Sequence, residues 1–165
     1  MTERESHRAL ILLGSNMDRK RNIPLALEKL ANHSSLRLDA TSSIYESAAV
    51  GGSGAQPLFS NGAALVETKL DPAALRQTLR SIEAALGRVR SADKYAPRPI
   101  DLDIVLFDNF VGEVEGSPIP DPDLLRFAHV AAPCAEIAPE WMHPTSAETL
   151  QIISARIGSA GLCRT

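Results

Sequence analysis

Apolar residues recur along the chain with two different periods, and each period predicts one kind of element. Residues 9–13 are all apolar and end at Gly14-Ser15-Asn16, which is typical of a central strand followed by a turn. Over residues 22–35 the apolar positions have helical spacing, and Asn22 is the predicted helix cap. Residues 36–41 alternate between apolar and polar positions and predict a half-buried strand.

The same succession of elements is repeated further along the chain. Residues 59–68 predict a strand whose odd-numbered positions share one face. Asp71 caps the next predicted helix, whose buried stripe runs from Leu75 to Leu86 before Gly87 ends it. Residues 100–107 then predict another strand.

Two segments are predicted to be loops because of their composition. Residues 47–57 contain small residues and glycines, and residues 112–123 are rich in glycine, proline and acid. Short helices are predicted over residues 131–137 and 147–157, the latter with Ser146 as its cap.

The order strand–helix–strand–strand–helix–strand predicts an α+β sandwich of ferredoxin-like type. Such a fold has a mainly antiparallel sheet, with helices here expected on one face. The chain has 165 residues, which fits one domain over residues 1–165. We expect residues 1–8, which are polar and charged, to be loosely held.

Composition and charge narrow the possible partners. The net charge of -3 argues against a general binder of nucleic acid. Cys134 and Cys163 match no zinc spacing and are expected to be free thiols. No signal peptide or membrane-spanning apolar segment is visible, so we expect a cytoplasmic protein without a membrane partner. We also expect a monomer.

The strongest chemical signal is the pair Asp101 and Asp103. Side chains two apart on a strand point to the same face, so the two carboxylates lie side by side. Such a pair repels itself unless a cation lies between, and Mg²⁺ prefers one or two carboxylates together with phosphate oxygens. The alternative is two solvated acids at a strand edge, but apolar neighbours surround this pair and a basic segment precedes it.

That basic segment contains Arg88, Arg90, Lys94 and Arg98. Cations beside metal-bound acids can form a cradle for a triphosphate, with guanidinium groups taking the charge that the metals leave. The alternative is a solvated charged loop.

Phe59 and Asn61 form a weaker signal on one face of a predicted strand. A ring offers stacking area, and an amide offers a donor and an acceptor to a heterocycle. On their own these two residues are better explained as a core phenylalanine and a polar strand residue.

Taken together, these features resemble the 6-hydroxymethyl-7,8-dihydropterin pyrophosphokinase family, from about residue 10 to the region of residue 150. The most specific motif is Pro97-Arg98-Pro99-Ile100-Asp101-Leu102-Asp103-Ile104. The other matching motifs are Leu13-Gly14-Ser15-Asn16, Phe59-Ser60-Asn61-Gly62-Ala63, Gly87-Arg88-Val89-Arg90 and Glu136-Ile137-Ala138-Pro139-Glu140.

The resemblance implies a ferredoxin-like fold, ATP as co-substrate and two Mg²⁺ ions. The implied reaction moves a diphosphate to the pterin hydroxymethyl oxygen and releases AMP. Asp101 and Asp103 would bind the metals, and Asp103 would lie near the attacking hydroxyl. The residues implied to bind or cover the nucleotide are Glu83, Arg88, Arg90, Lys94, Arg98, Ile104 and Arg126.

The resemblance also implies a pterin pocket. Asn61 would bind the edge of the pterin, and Phe59 would lie against its ring. Tyr95 stands where the family has a covering tryptophan. Ser47, Val50 and His129 complete the implied set.

Several positions depart from the family pattern. A proline pair is replaced within residues 47–50, and Lys94 replaces a loop arginine. A nucleotide-contacting histidine falls at Asp121, next to Pro122. An expected arginine aligns with Phe127, although the adjacent Arg126 could substitute for it, and His129 replaces a phenylalanine that stacks on the pterin.

These departures leave three hypotheses. The first is a pyrophosphokinase of this family. The second is a divergent paralogue that acts slowly or on a different pterin alcohol. The third is a non-catalytic pterin- or nucleotide-binding regulatory domain, which the retained aspartate pair argues against.

Overall fold

A computed structural model of the chain describes residues 5–47, 59–87 and 99–164. The first seven elements follow the predicted ferredoxin-like succession, with one additional short strand. They are β1 (His7–Ser15), α1 (Arg19–Asn32), β2 (Leu36–Thr41), β3 (Tyr45–Ser47), β4 (Phe59–Thr68), α2 (Pro72–Ala85) and β5 (Asp101–Phe107).

The remaining described chain adds a hairpin, a short 3-10 helix over Pro122–Leu125, two helices and a final strand. These elements are β6 (Gly112–Val114), β7 (Ser117–Ile119), α3 (Ala128–Ile137), α4 (Leu150–Ile157) and β8 (Cys163–Arg164).

The main sheet has the strand order β5-β1-β4-β3-β8, and β2 also pairs with β4. Every strand pairing within the described ranges is antiparallel. The predicted fold, an α+β sandwich of ferredoxin-like type with an antiparallel sheet, is therefore confirmed.

One face of the sheet is covered by α1 and α2. Leu75, Leu79 and Ile82 are buried there, as the predicted stripe of α2 requires. The predicted cap of this helix is also present, since Asp71 Oδ1 accepts a hydrogen bond from the backbone N–H of Ala74 at 2.8 Å.

The other face is covered by α3 and α4, so the expectation of helices on one face only is wrong. Leu10, Leu12 and Val105 pack there against residues of α3 and α4, including Val130 and Ile153. The reason is visible in β1, where consecutive apolar residues face opposite sides of the sheet and both sides need cover.

Two helix starts differ from the prediction. Helix α1 begins at Arg19, and Asn22 lies inside it, buried, with Nδ2 donating to the Met17 carbonyl at 2.7 Å. Helix α4 begins at Leu150 rather than at residue 147, because Thr149 and not Ser146 provides the cap. Helix α1 starts without a side-chain cap, and the Asp18 carbonyl accepts from the backbone N–H groups of Arg21 and Asn22.

The predicted loop over residues 112–123 contains the β6–β7 hairpin. Glu115 and Gly116 connect its strands with φ of 50° and 80°, the left-handed conformation that two-residue hairpin turns favour. Strands β3 and β8 were not predicted, and α3 begins at Ala128, three residues before its predicted start at Ala131.

Strand β1 begins at His7, so the loosely held segment expected over residues 1–8 does not include His7 and Arg8. The predicted loop over residues 47–57 lies almost wholly outside the described residues. Within the described ranges, none of the helices combines the length and apolar character that a membrane crossing requires.

Candidate active site

Strand β5 presents Asp101 and Asp103 together on the face of the sheet that α3 and α4 cover. Leu102 and Ile104 point the other way and are buried against α1 and α2. Both aspartates remain partly accessible. The alternation predicted for this strand therefore places two carboxylates side by side on one face.

A bulge in β5 changes the alternation beyond these aspartates. Ile11 pairs with Ile104 and Leu10 pairs with Leu106, which leaves Val105 as an extra residue. As a result Leu106 lies with Val105 on the face of α3 and α4. Strict alternation along the strand would place Leu106 with Leu102 and Ile104, but the bulge shifts the register by one residue.

The electrostatics of the pair favour a bound cation. Burial and the neighbouring charge of Asp101, with smaller contributions from Asp121 and Glu83, raise the pKa of Asp103 to about 8. A divalent cation between the carboxylates would remove this penalty on ionisation. Within the described ranges no three His, Cys, Asp or Glu side chains are grouped to hold a metal, and Asp101 and Asp103 are the candidate pair of carboxylate ligands. That donor set fits Mg²⁺, which completes its shell with phosphate oxygens and water.

Two buried contacts fix the strand that carries the aspartates. Glu83 on α2 is buried, and its Oε2 accepts a hydrogen bond from the backbone N–H of Leu102 at 2.8 Å. Ser15, at the end of β1, donates through Oγ to the Pro99 carbonyl at 2.7 Å. The Glu83 bond holds Leu102, which lies between the two aspartates in sequence. The Ser15 bond holds Pro99, which lies just before them.

Asn61 on β4 lies on the same face as the aspartates, with only Gly14 between them. Gly14 pairs with Asn61 on one side and with Asp101 on the other, so Asn61 and Asp101 lie two strand spacings apart, about 10 Å. Asn61 is buried, and its Oδ1 has no hydrogen-bond partner among the described residues. A buried acceptor without a partner is costly unless a ligand satisfies it.

Phe59 and Ser47 are paired at the start of β4. Ser47 on β3 lies directly opposite Phe59, and both residues are half-buried. Phe59 shares the face of Asn61, as the strand alternation predicts.

Helix α3, which packs on this face of the sheet, carries His129 in its first turn. The His129 ring stacks on Phe127 with centroids 5.4 Å apart. Burial lowers the pKa of His129, although nearby Asp123 opposes the shift, so the imidazole favours its neutral form.

Asp121 is tied to β5 through its backbone, because its N–H donates a hydrogen bond to the Val105 carbonyl at 3.0 Å. Burial raises the pKa of the Asp121 carboxyl.

The residues implied to bind the nucleotide are spread over several elements. Arg126 is exposed and lies with Cζ 5.1 Å from the centroid of the Phe127 ring. The Ile104 side chain is buried in the core with α1 and α2, so only its backbone could meet a nucleotide. Six further predicted residues lie outside the described residues: Val50, Arg88, Arg90, Lys94, Tyr95 and Arg98.

Sequence reasoning missed a polar cluster beside this face. Glu136 on α3 accepts hydrogen bonds from the Tyr45 hydroxyl at 2.6 Å and from the Ser43 N–H at 2.7 Å. Glu136 belongs to one of the family motifs, but its partners lie about ninety positions earlier in the chain. No local pattern could have paired them.

Comparison with known proteins identifies the family of this chain. The family described as 7,8-dihydro-6-hydroxymethylpterin-pyrophosphokinase (HPPK) matches residues 10–139. A Bacillus subtilis 2-amino-4-hydroxy-6-hydroxymethyldihydropteridine pyrophosphokinase is 39% identical over 145 residues, covering 87% of this chain and 86% of the relative. The enzyme of the same name from Synechocystis is 35% identical over 147 residues, covering 88% and 74%.

Solved structures share the fold. The chain matches the wild-type Plasmodium falciparum HPPK-DHPS structure with pterin and p-hydroxybenzoate with a TM-score of 0.73 at 15% identity. The match covers 94% of this chain but 44% of that longer one. The sheet and the matches together define a ferredoxin-like kinase. Within that class, the chain belongs to the 7,8-dihydro-6-hydroxymethylpterin-pyrophosphokinase family, as its sequence motifs predicted.

Proposed function

We propose that this protein transfers the diphosphate of ATP to the hydroxymethyl group of 6-hydroxymethyl-7,8-dihydropterin in folate biosynthesis. The hydroxymethyl oxygen forms a bond to the β-phosphorus while the bond from that phosphorus to the oxygen bridging the α-phosphate breaks. AMP leaves, and the hydroxyl proton is lost to the surroundings. Family membership and the activity named for the relatives support this reaction.

The metal ions of the reaction would be held by Asp101 and Asp103. Two Mg²⁺ ions would neutralise the charge that develops on the transferred phosphates. The raised pKa of Asp103, caused by its burial and by Asp101, fits a pair of carboxylates adapted to a cation. Arg98, Arg88 and Arg90 are proposed to add positive charge around the phosphates.

The observation that carries the proposal is the arrangement around Gly14. A buried amide oxygen without a partner in the described part of the chain lies on one side of this glycine, and the aspartate strand lies on the other. Asn61 would bind the heterocycle edge, which positions the hydroxymethyl group toward the metals and phosphates. The wall of the pocket is proposed to consist of Ser47, Val50, Phe59, Tyr95 and His129.

The nucleotide is proposed to lie along β5 and the segment before it. Glu83, Lys94, Arg98, Ile104 and Arg126 are the residues assigned to it. Ile104 would contribute through its backbone, because its side chain belongs to the core. We also propose that the protein works as a cytoplasmic monomer.

The direct test is to incubate the protein with ATP, Mg²⁺ and 6-hydroxymethyl-7,8-dihydropterin and to measure AMP. We expect AMP and pterin diphosphate in equal amounts. Faster turnover of a different pterin alcohol would favour the divergent paralogue, for which His129, Phe59 and Asp121 are the altered positions. Binding of ATP and the pterin without any AMP would favour a non-catalytic domain.

A further inference from the structure

The C-terminal strand β8 holds the edge of the sheet that supports the proposed acceptor pocket. Strand β3 has three residues and pairs with β4, so that Tyr45 lies opposite Asn61. Along its other edge β3 pairs with β8, where Tyr45 lies opposite Arg164. So short a strand gains little stability from its own pairing, and its position therefore depends on both neighbours.

A carboxylate on α3 connects these strands. Glu136 Oε1 accepts from the Tyr45 hydroxyl at 2.6 Å, and Glu136 Oε2 accepts from the Ser43 N–H at 2.7 Å. Arg164 Nη2 lies 3.3 Å from Glu136 Oε1, and Arg164 Nε donates to Ser43 Oγ at 2.8 Å. Arg164 thus contacts both the carboxylate on α3 and the serine that leads into β3.

The charges of this cluster are complementary. Burial alone would raise the pKa of Glu136, but hydrogen bonds from Tyr45 and Ser43 and the charge of Arg164 lower it below its ordinary value. Glu136 is therefore ionised at neutral pH, and Arg164 supplies the opposing cation. A guanidinium can bind both partners at once because its donors form a fixed fork.

We propose that Arg164 is a positioning residue for the acceptor substrate: through β8 and Glu136 it holds β3 against β4, and thereby fixes Asn61 and Phe59 at the pocket. This inference rests on the proposed function, which assigns the pterin to these two residues. Strand β8 lies beyond residue 139, where the family match ends, so this support comes from a part of the chain outside the matched segment.

The test compares Arg164→Ala with Arg156→Ala as a matched control. Arg156 is also an exposed arginine in an ion pair, with Glu148 at 2.8 Å, but it lies on α4 and not beside β3. For each variant, kcat and the KM values for ATP and for 6-hydroxymethyl-7,8-dihydropterin are measured, together with the urea midpoint of unfolding.

We expect Arg164→Ala to raise the KM for the pterin roughly three- to tenfold, as loss of one well-placed ion pair and hydrogen bond allows. The KM for ATP and the urea midpoint should remain close to wild type, and Arg156→Ala should change neither KM. Arg164→Lys keeps the positive charge beside Glu136 but loses the forked guanidinium. Its KM for the pterin should therefore lie between those of the wild type and Arg164→Ala.

Two outcomes would overturn the inference while leaving the proposed function intact. One is an unchanged KM for the pterin in Arg164→Ala. The other is a parallel rise of both KM values with a lower urea midpoint, which a general loss of structure would produce. A wild-type protein that forms no AMP from ATP and the pterin would remove the proposed function, and this inference with it.

Discussion

Gly14 leaves the space that the amide of Asn61 occupies: a Cβ atom added at Gly14 would lie 3.0 Å from Asn61 Nδ2. The two residues are directly paired between β1 and β4. We predict that Gly14→Ala pushes the amide out of place and raises the KM for the pterin about tenfold, which corresponds to about 1.4 kcal/mol of lost binding. Because the displaced atom ends a side chain and Gly14 is not in the left-handed region, stability should change little. Steady-state kinetics and urea unfolding of the variant provide the measurement.

Gly62 offers the contrasting substitution in the same pair of strands. A Cβ at Gly62 would lie 2.7 Å from Ile44 Cδ1, which packs against the core of α1 and α2. Gly62→Ala should therefore lower the free energy of unfolding by about 1–3 kcal/mol through overpacking. If both glycine variants changed the KM for the pterin equally, the specific link between Gly14 and Asn61 would be refuted.

Removing either carboxylate of β5 should abolish most of the activity. We predict that Asp101→Asn and Asp103→Asn each lower kcat at least ~10²–10³-fold, the effect typical of losing one preorganised electrostatic group. The amide keeps the shape of the side chain but cannot neutralise Mg²⁺. The rate of AMP formation at saturating ATP measures the effect.

Asp108 provides the control for these two variants. It follows β5 directly, and its carboxylate binds His7 Nδ1 at 2.7 Å and the Arg8 N–H at 2.9 Å instead of facing the site. Asp108→Asn should keep near-normal turnover. Near-normal turnover in Asp101→Asn or Asp103→Asn would contradict the metal assignment.

The contact between Glu83 and the Leu102 backbone predicts a difference between two substitutions. Glu83→Ala leaves a buried N–H without this acceptor and should lower the free energy of unfolding by about 1–3 kcal/mol. Glu83→Gln retains an oxygen that can accept this hydrogen bond, so it should lower the free energy of unfolding by less than Glu83→Ala does. Urea unfolding of both variants measures the difference, and equal losses would show that the hydrogen bond is not what Glu83 contributes to stability.

His129 predicts a pH dependence of stability. Burial lowers its pKa below the ordinary value of 6.5. As the pH falls through 6.5, the unfolded chain binds a proton that the folded protein does not, so the free energy of unfolding falls until the pH reaches the lower folded pKa. His129→Phe should remove this part of the acid dependence.

The measurement is urea unfolding of the wild type and His129→Phe at several values between pH 5 and 8. Plotted against pH, the free energies of unfolding of the wild type and the variant should converge toward pH 8. They should separate toward pH 5, where the variant should be the more stable protein. Parallel curves would mean that His129 takes up its proton equally well in the folded protein.

The sequence was sufficient where local pattern decides the structure. The strand over Phe59–Thr68 and the helix capped by Asp71 were predicted at their observed positions, because alternation and capping are local properties. The same-face placement of Asp101 and Asp103 follows from strand geometry alone.

The features that sequence reasoning missed depend on distant partners. The bulge at Val105 exists only relative to β1, and β3 is recognisable as a strand only through its pairing with β4 and β8. The cap at Thr149 was missed because Ser146 is a chemically equivalent residue three positions earlier. Asn61 was predicted as a site residue, but its unsatisfied oxygen could be seen only in the folded chain.

The extra residue in β5 has a consequence for how this strand tolerates change. Before Val105 the strand presents its acids to α3 and α4, and after Val105 it presents Leu106 there. A chain shortened by this one residue would still pair Leu106 with Leu10 and Phe107 with Ala9, so both side chains would keep their faces and only the Val105 side chain would be lost from the core beside α3 and α4. The bulge therefore allows one strand to place two adjacent apolar side chains, Val105 and Leu106, on the same side as its two acids.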